Sequence, residues 1–157
     1  MIDPEVRPAT TADADDLRAL EVEARAAVAD ARGGARWLEE HPTIGPNWSE
    51  AIVTRRVFVA VLRTPSTGVE HRPTEMVVGY LVLDVDGAVA HVDQVYVTPE
   101  ARELGFGDAL LAAATDAARA AGAEVLEGHA LPGDRETKNL YERAGITARL
   151  ITVSTRL

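Results

Sequence analysis

Two spacings organise the apolar positions of this chain. Over residues 12–31, Leu17, Leu20, Ala24 and Val28 recur at helical spacing. Thr10 or Thr11 stands ready to cap that helix, with Asp13, Asp15 and Asp16 in a first turn where the helix dipole favours negative charge; Gly33-Gly34 ends it. Val6-Arg7-Pro8 predicts a short edge strand, because Pro8 cannot donate to a ladder. Residues 57–62 (VFVAVL) form a continuous apolar run rich in β-branched residues, the pattern of a strand buried on both faces. Residues 76–84 and 88–97 predict two strands joined by a tight turn at Asp86-Gly87, and residues 63–75, with Pro65, Ser66, Gly68 and Pro73, an exposed loop before them.

The second half changes period. After Gly107, Leu110, Leu111, Ala114, Ala117, Ala118 and Ala121 predict a narrow helix that can lie close on a sheet and stops at Gly122. A strand at 125–129 follows, then a turn and a helix over 135–144 with Asp134 as N-cap and Gly145 as its stop. A short helix is expected over 48–55, an irregular segment over 35–48, and one final strand over 147–157. The pattern predicts one α/β (α+β) domain over 1–157, with about six strands and about four helices.

Composition narrows the function. The chain has 157 residues, no cysteine and a net charge of −9. Without cysteine there is no disulfide framework, thiolate metal site or acyl-cysteine intermediate. The acidic balance argues against a nucleic-acid surface and would favour encounter with a cationic amine. No apolar run reaches the roughly 18–20 residues of a membrane span, and the N-terminus lacks a basic region followed by an apolar one, so a soluble cytoplasmic protein with no membrane partner is expected.

The stretch 94–111, QVYVTPEARELGFGDALL, carries the chemistry. A strand breaks at Pro99, passes through Arg102-Glu103-Leu104-Gly105-Phe106-Gly107, and enters a helix whose first N–H groups have no intrahelical acceptor and can hold a phosphate. Gly105 and Gly107 permit close backbone approach, and Arg102 supplies a donor fork. The dinucleotide fingerprint would need a glycine at Leu110, and the Gly-Lys-Ser/Thr of a P-loop is absent.

This Arg-x-x-Gly-x-Gly turn resembles the acyl-CoA-binding motif of the GNAT superfamily of N-acetyltransferases. Asn139-Leu140-Tyr141-Glu142-Arg143-Ala144-Gly145-Ile146 is similar to the superfamily's Leu-Tyr-Glu-x-x-Gly-Phe segment, and the likeness covers roughly residues 76–146. It implies a mixed, mostly antiparallel sheet splayed between strands 4 and 5, acetyl-CoA as co-substrate and no metal. Cofactor contacts are implied at Val95, Tyr96 and Val97, at Arg102, Glu103, Leu104, Gly105, Phe106, Gly107 and Asp108, and at Lys138. Val95 and Val97 would pair through their backbone with the pantetheine arm. Relatives often have glycine or a basic residue where Glu103 stands and a basic one at Leu104, so Glu103 is expected to point to solvent or to pair with Arg102. Relatives also often have two strands after the last helix, so a neighbouring subunit completing the sheet, as in a homodimer, is expected.

An amine attacks a thioester only when neutral, and an alkylamine is almost wholly protonated at neutral pH, so a base is required and an acid at the leaving thiolate helps. Tyr141 matches the superfamily tyrosine aimed at the CoA sulfur. His91, Asp93 and His129 are candidate bases, and the alternation of strand 4 puts Val89, His91, Asp93, Val95 and Val97 on one face unless a bulge intervenes. Trp37, Glu39, Glu40 and Trp48 could receive the amine of a small molecule or peptide; each tryptophan taken alone reads more readily as an anchor covering the core. The alternative to an acetyltransferase is a non-catalytic module that binds and senses acyl-CoA.

Overall fold

The computed structural model describes residues 3–65 and 74–157. Five strands form one sheet in the order β1-β2-β3-β4-β5: β1 (Glu5–Pro8), β2 (Arg56–Thr64), β3 (Thr74–Asp86), β4 (Val89–Val97) and β5 (Val125–Gly128). The first four pair antiparallel, and β5 lies parallel to β4. Five helices surround them: α1 (Ala14–Ala29), α2 (Gly34–Glu40), α3 (Trp48–Thr54), α4 (Phe106–Ala120) and α5 (Arg135–Arg143). The expected loop between β2 and β3 lies mostly at residues 66–73, outside the described residues.

Strand β2 is buried on both faces because its parity feeds two cores. Val57, Val59 and Val61 pack with Leu17 and Leu20 of α1 and with Trp48 and Ala51 of α3. Ala60, Phe58 and Leu62 join Leu110, Leu111 and Ala114 of α4 and Leu140 and Tyr141 of α5 on the opposite face. The small residues of α4 let it settle on the sheet, as their spacing predicted.

Two expectations change. The segment after α1 is not irregular throughout: Gly33, at φ 80°, turns the chain, and Gly34 is buried where a side chain would collide with the carbonyl of Val28, so a second helix starts at once. Residues 147–157 form no strand. A strand needs a partner row, and this tail is held instead by side chains, Arg149 to Glu127 at 3.7 Å, Arg156 to Glu39 at 2.8 Å and Arg36 to Ser154, while Leu150, Ile151 and Val153 remain exposed. The sheet therefore has five strands, not six.

The bulge that the sequence allowed for is present in β4. Gln94 pairs with Val82, but Val92 pairs with Leu83, leaving Asp93 as an extra residue in a bulge. The single face expected for Val89, His91, Asp93, Val95 and Val97 is broken there. Ala90 and Val92 before the bulge, and Val95 and Val97 after it, face the α4 side, whereas Tyr96 packs on the α1 side.

Candidate functional site

The bulge coincides with the end of β4–β5 pairing. That ladder runs from Val89 with Val125 to Val92 with Gly128 and stops, so residues 93–97 have no β5 partner. Thr98 donates to the carbonyl of Val78 across the β3 ladder at 2.8 Å. By the alternation of an antiparallel ladder, the N–H and C=O groups of Val95 and Val97 point to the open edge. The Val97 carbonyl accepts there from Nε of Arg102 at 3.1 Å.

A cavity of about 1240 Å³ begins at this edge and extends to α1, α2 and α5. Tyr141 stands inside it, its ring 7% exposed and its hydroxyl set against Gly128, where a methyl group would lie 2.5 Å from the tyrosine Cζ. Among the described residues its hydroxyl has no hydrogen-bond partner, and burial raises its pKa, so it remains a phenol able to donate.

The turn into α4 is built from unusual backbone. Glu103 takes φ 64° and Gly105 φ 87°, and α4 begins with no side chain capping its first N–H groups. An uncapped helix start of this kind suits an anion. Gly107 has a packing reason as well, since a side chain there would approach Leu140 of α5 to 2.9 Å. Phe106 is buried in the core and Leu104 is exposed on the turn.

Of the two placements expected for Glu103, solvent or a pair with Arg102, the structure has the first: Glu103 is exposed at the edge of the cavity with no ion-pair partner among the described residues. Arg102 pairs instead with Glu136 at the start of α5, and its guanidinium lies 5.7 Å from the centre of the Tyr96 ring. Asp108 receives Arg143 at 3.2 Å. Lys138, expected to add positive charge, lies outside the cavity lining and pairs with Glu142 at 3.8 Å. Arg135, Asn139 and Arg143 line it instead.

At the other end His129, just past β5, lies edge-on to His91 with ring centres 4.6 Å apart and 5.4 Å from Trp37, which stacks on His41 at 3.5 Å. Partial burial, then the neighbouring His91 and His41, lowers the pKa of His129. His129 and His41 line the cavity, while His91 stands behind His129. Asp93 also lines it, but Nη2 of Arg55 holds its carboxylate at 2.8 Å.

Of the four residues expected at the acceptor, the structure brings Trp37 and Glu40 to the cavity. Trp48 is 0% exposed and packs edge-on to Tyr80 at 5.4 Å, a core anchor in place of a surface platform. Glu39 faces solvent and pairs with Arg156; Glu40 pairs with Arg36 at 2.7 Å.

Two clamps on the bulge went unread in the sequence. Arg55 bridges Asp84 and Asp93, with Nε 2.8 Å from Asp84. On the other side, Glu21, buried in α1, accepts from Nε2 of Gln94 at 3.0 Å and from the amides of Ile44 and Gly45, while Tyr80 donates to Gln94 at 2.7 Å. A glutamate inside the apolar stripe of α1 was the available signal, since a buried carboxylate requires donors.

Among the described residues no group of three or more His, Cys, Asp or Glu could hold a metal ion, and no helix is long and apolar enough to cross a membrane. The family model described as "Acetyltransferase (GNAT) family" matches residues 28–146. No curated protein matches the sequence. A tetramutant of the BH1408 protein from Bacillus halodurans is similar in structure, with a TM-score of 0.77 at 17% identity over 98% of this chain and 99% of that one. The aminoglycoside acetyltransferase AAC(6')-Iy in complex with a bisubstrate analog, CoA-S-monomethyl-acetylneamine, gives a TM-score of 0.62 at 15% identity over 99% of both chains. A ribosomal-protein-alanine N-acetyltransferase from Brucella melitensis biovar Abortus 2308 gives 0.62 at 17% identity, over 98% of this chain and 97% of that one.

Proposed function

The chain belongs to the GNAT acetyltransferase family, and on that premise we propose that it transfers an acetyl group from acetyl-CoA to a primary amine of a small molecule or protein by direct attack in a ternary complex. The observation that carries this reading is the Tyr141 hydroxyl, held against Gly128 where β4 and β5 part, inside one cavity that joins the Arg102–Gly107 turn to His129. Solved structures of similar fold carry CoA with an acetylated amine or act on ribosomal-protein alanine, which supports an amine acceptor.

In this reading the uncapped amides at the start of α4 hold the pyrophosphate, and the open-edge groups of Val95 and Val97 pair with the pantetheine arm, which would take over the Val97 carbonyl from Arg102. Acetyl-CoA supplies the activated thioester. His129 is the base: it lines the cavity, and its lowered pKa keeps the imidazole neutral at pH 7. Asp93, the other candidate on the lining, has its carboxylate already engaged by Arg55. As the amine nitrogen bonds to the acetyl carbon, its proton passes to His129; the carbon–sulfur bond then breaks, and Tyr141 donates to the departing thiolate.

Incubating the protein with acetyl-CoA and a panel of amines, and following free CoA, tests the reading. Amine-dependent release supports it. A folded protein stabilised against heat by acetyl-CoA but releasing no CoA with any amine would favour the non-catalytic acyl-CoA module, which the carboxylate of Glu103 beside the phosphate turn also favours.

A further inference from the structure

On the acyl-transfer reading above, we propose that the acceptor is a monoamine carried on an apolar body, seated along the last two turns of α1, and not a polycation. The apolar stripe of α1 divides in two. Leu17 and Leu20 are buried against the sheet, whereas Ala24 and Val28, followed by Ala31 just past the helix end, line the cavity half-buried and belong to neither core cluster. The stripe therefore offers apolar surface to whatever enters.

Trp37 and Leu131 form the facing walls; Leu131 packs over Gly33, and the loop at Gly133 packs on Ala31 and Arg32, so the trough is closed at the end of the helix. His129, the imidazole facing the splay, is kept neutral by its surroundings.

Charge points the same way. The carboxylates around this half are already engaged: Glu40 takes Arg36, Asp93 takes Arg55, Glu39 takes Arg156, Asp134 accepts from the amide of Thr137 and Glu21 from Gln94 and the amides of Ile44 and Gly45. Arg25 lines the same half with no carboxylate partner among the described residues, donating to the carbonyls of His41 at 2.7 Å and Leu38 at 3.2 Å. One amine aimed at the splay meets Trp37 and His129. A second ammonium group along the trough would meet Arg25 and apolar wall, with no free anion to receive it.

Isothermal titration of phenethylamine and of spermidine into the CoA-loaded protein separates the alternatives. Phenethylamine is expected to bind at least tenfold more tightly. Val28→Asp should weaken phenethylamine by tenfold or more and narrow the gap, while Val22→Asp, on the exposed face of the same helix, should leave both unchanged. Melting curves in CoA check that both variants fold. Tighter binding of spermidine, equal binding of the two amines, or indifference to Val28→Asp in a folded protein would overturn the proposal. CoA release in the same mixtures reports separately on acyl transfer: binding in the expected order without release would overturn the catalytic reading and leave the trough as a binding site.

Discussion

The hydroxyl of Tyr141 rests against Gly128, the last residue of β5 and the last to pair with β4. No other residue type fits there without displacing the phenol. Tyr141→Phe keeps the ring and removes the donor, so kcat should fall by roughly tenfold to a hundredfold while acetyl-CoA affinity stays within about twofold. Gly128→Ala should produce a similar loss by moving the ring. Steady-state kinetics on both variants checks this; unchanged turnover in Tyr141→Phe would reduce the tyrosine to a packing residue.

Glu103 combines a left-handed backbone with a carboxylate at the anion-binding turn. Glu103→Gly removes the conformational cost, about 1 kcal/mol, and the charge together. Glu103→Gln removes the charge alone. Both should tighten acetyl-CoA by about threefold to tenfold, and only the glycine variant should also alter melting without ligand. Equal affinities in all three proteins would place the carboxylate away from the phosphates.

Arg102 is shared between the Val97 carbonyl and Glu136 of α5. Glu136→Gln frees the guanidinium for the cofactor and should tighten acetyl-CoA by about twofold to fivefold, an effect that shrinks with salt because the pair is partly exposed. Arg102→Ala should weaken binding, and Glu136→Gln should then have no further effect. A double-mutant cycle of dissociation constants at two ionic strengths decides it.

Arg55 holds Asp84 and Asp93 on either side of the bulge. Arg55→Ala leaves the two carboxylates facing each other and should raise the KM for acetyl-CoA several-fold, because the open edge of β4 is no longer fixed. Glu21→Gln, acting through Gln94, should move the same KM. A change confined to melting temperature would make both residues structural only.

His129 has its pKa lowered from 6.5 by burial and by its histidine neighbours. As the base it must be neutral, so at saturating substrate the acid limb of kcat should lie below pH 6.5 and disappear in His129→Gln. The same shift makes a stability contribution that is present above 6.5 and lost as pH falls toward the folded pKa, because the unfolded imidazole protonates first. Activity and melting profiles between pH 5 and 8 check both limbs, and an acid limb that survives in His129→Gln would move the base elsewhere.

Much of this was legible because it is local. The apolar run at 57–62, rich in β-branched residues, fits a strand covered on both sides, and Gly105 before an Ala-rich helix announced a helix start open to anions. The bulge was legible only as an allowance against strict alternation in strand 4, not as a position, because one extra residue at Asp93 costs nothing in composition and reverses the faces of all that follows. Trp48 takes the core-anchor side of its two readings: its neighbours Pro46 and Ser49 mark a surface turn, but the ring turns inward to meet Tyr80, a residue far along the chain that only folding brings close. The pairing of Arg102 with Glu136 was not legible, because the two are 34 residues apart and α5 is brought to the turn only on folding.

The bulge at Asp93 makes chain length itself a functional variable. Deleting that single codon would restore an uninterrupted two-residue phase, carry Val95 and Val97 to the α1 side, and deliver Tyr96 into the space filled by α4. Substitutions at Asp93 are graded in effect; its loss is not. Among chains descended from a common ancestor with this one, length between the Asp86-Gly87 turn and Pro99 should therefore drift far less than the residues that occupy it.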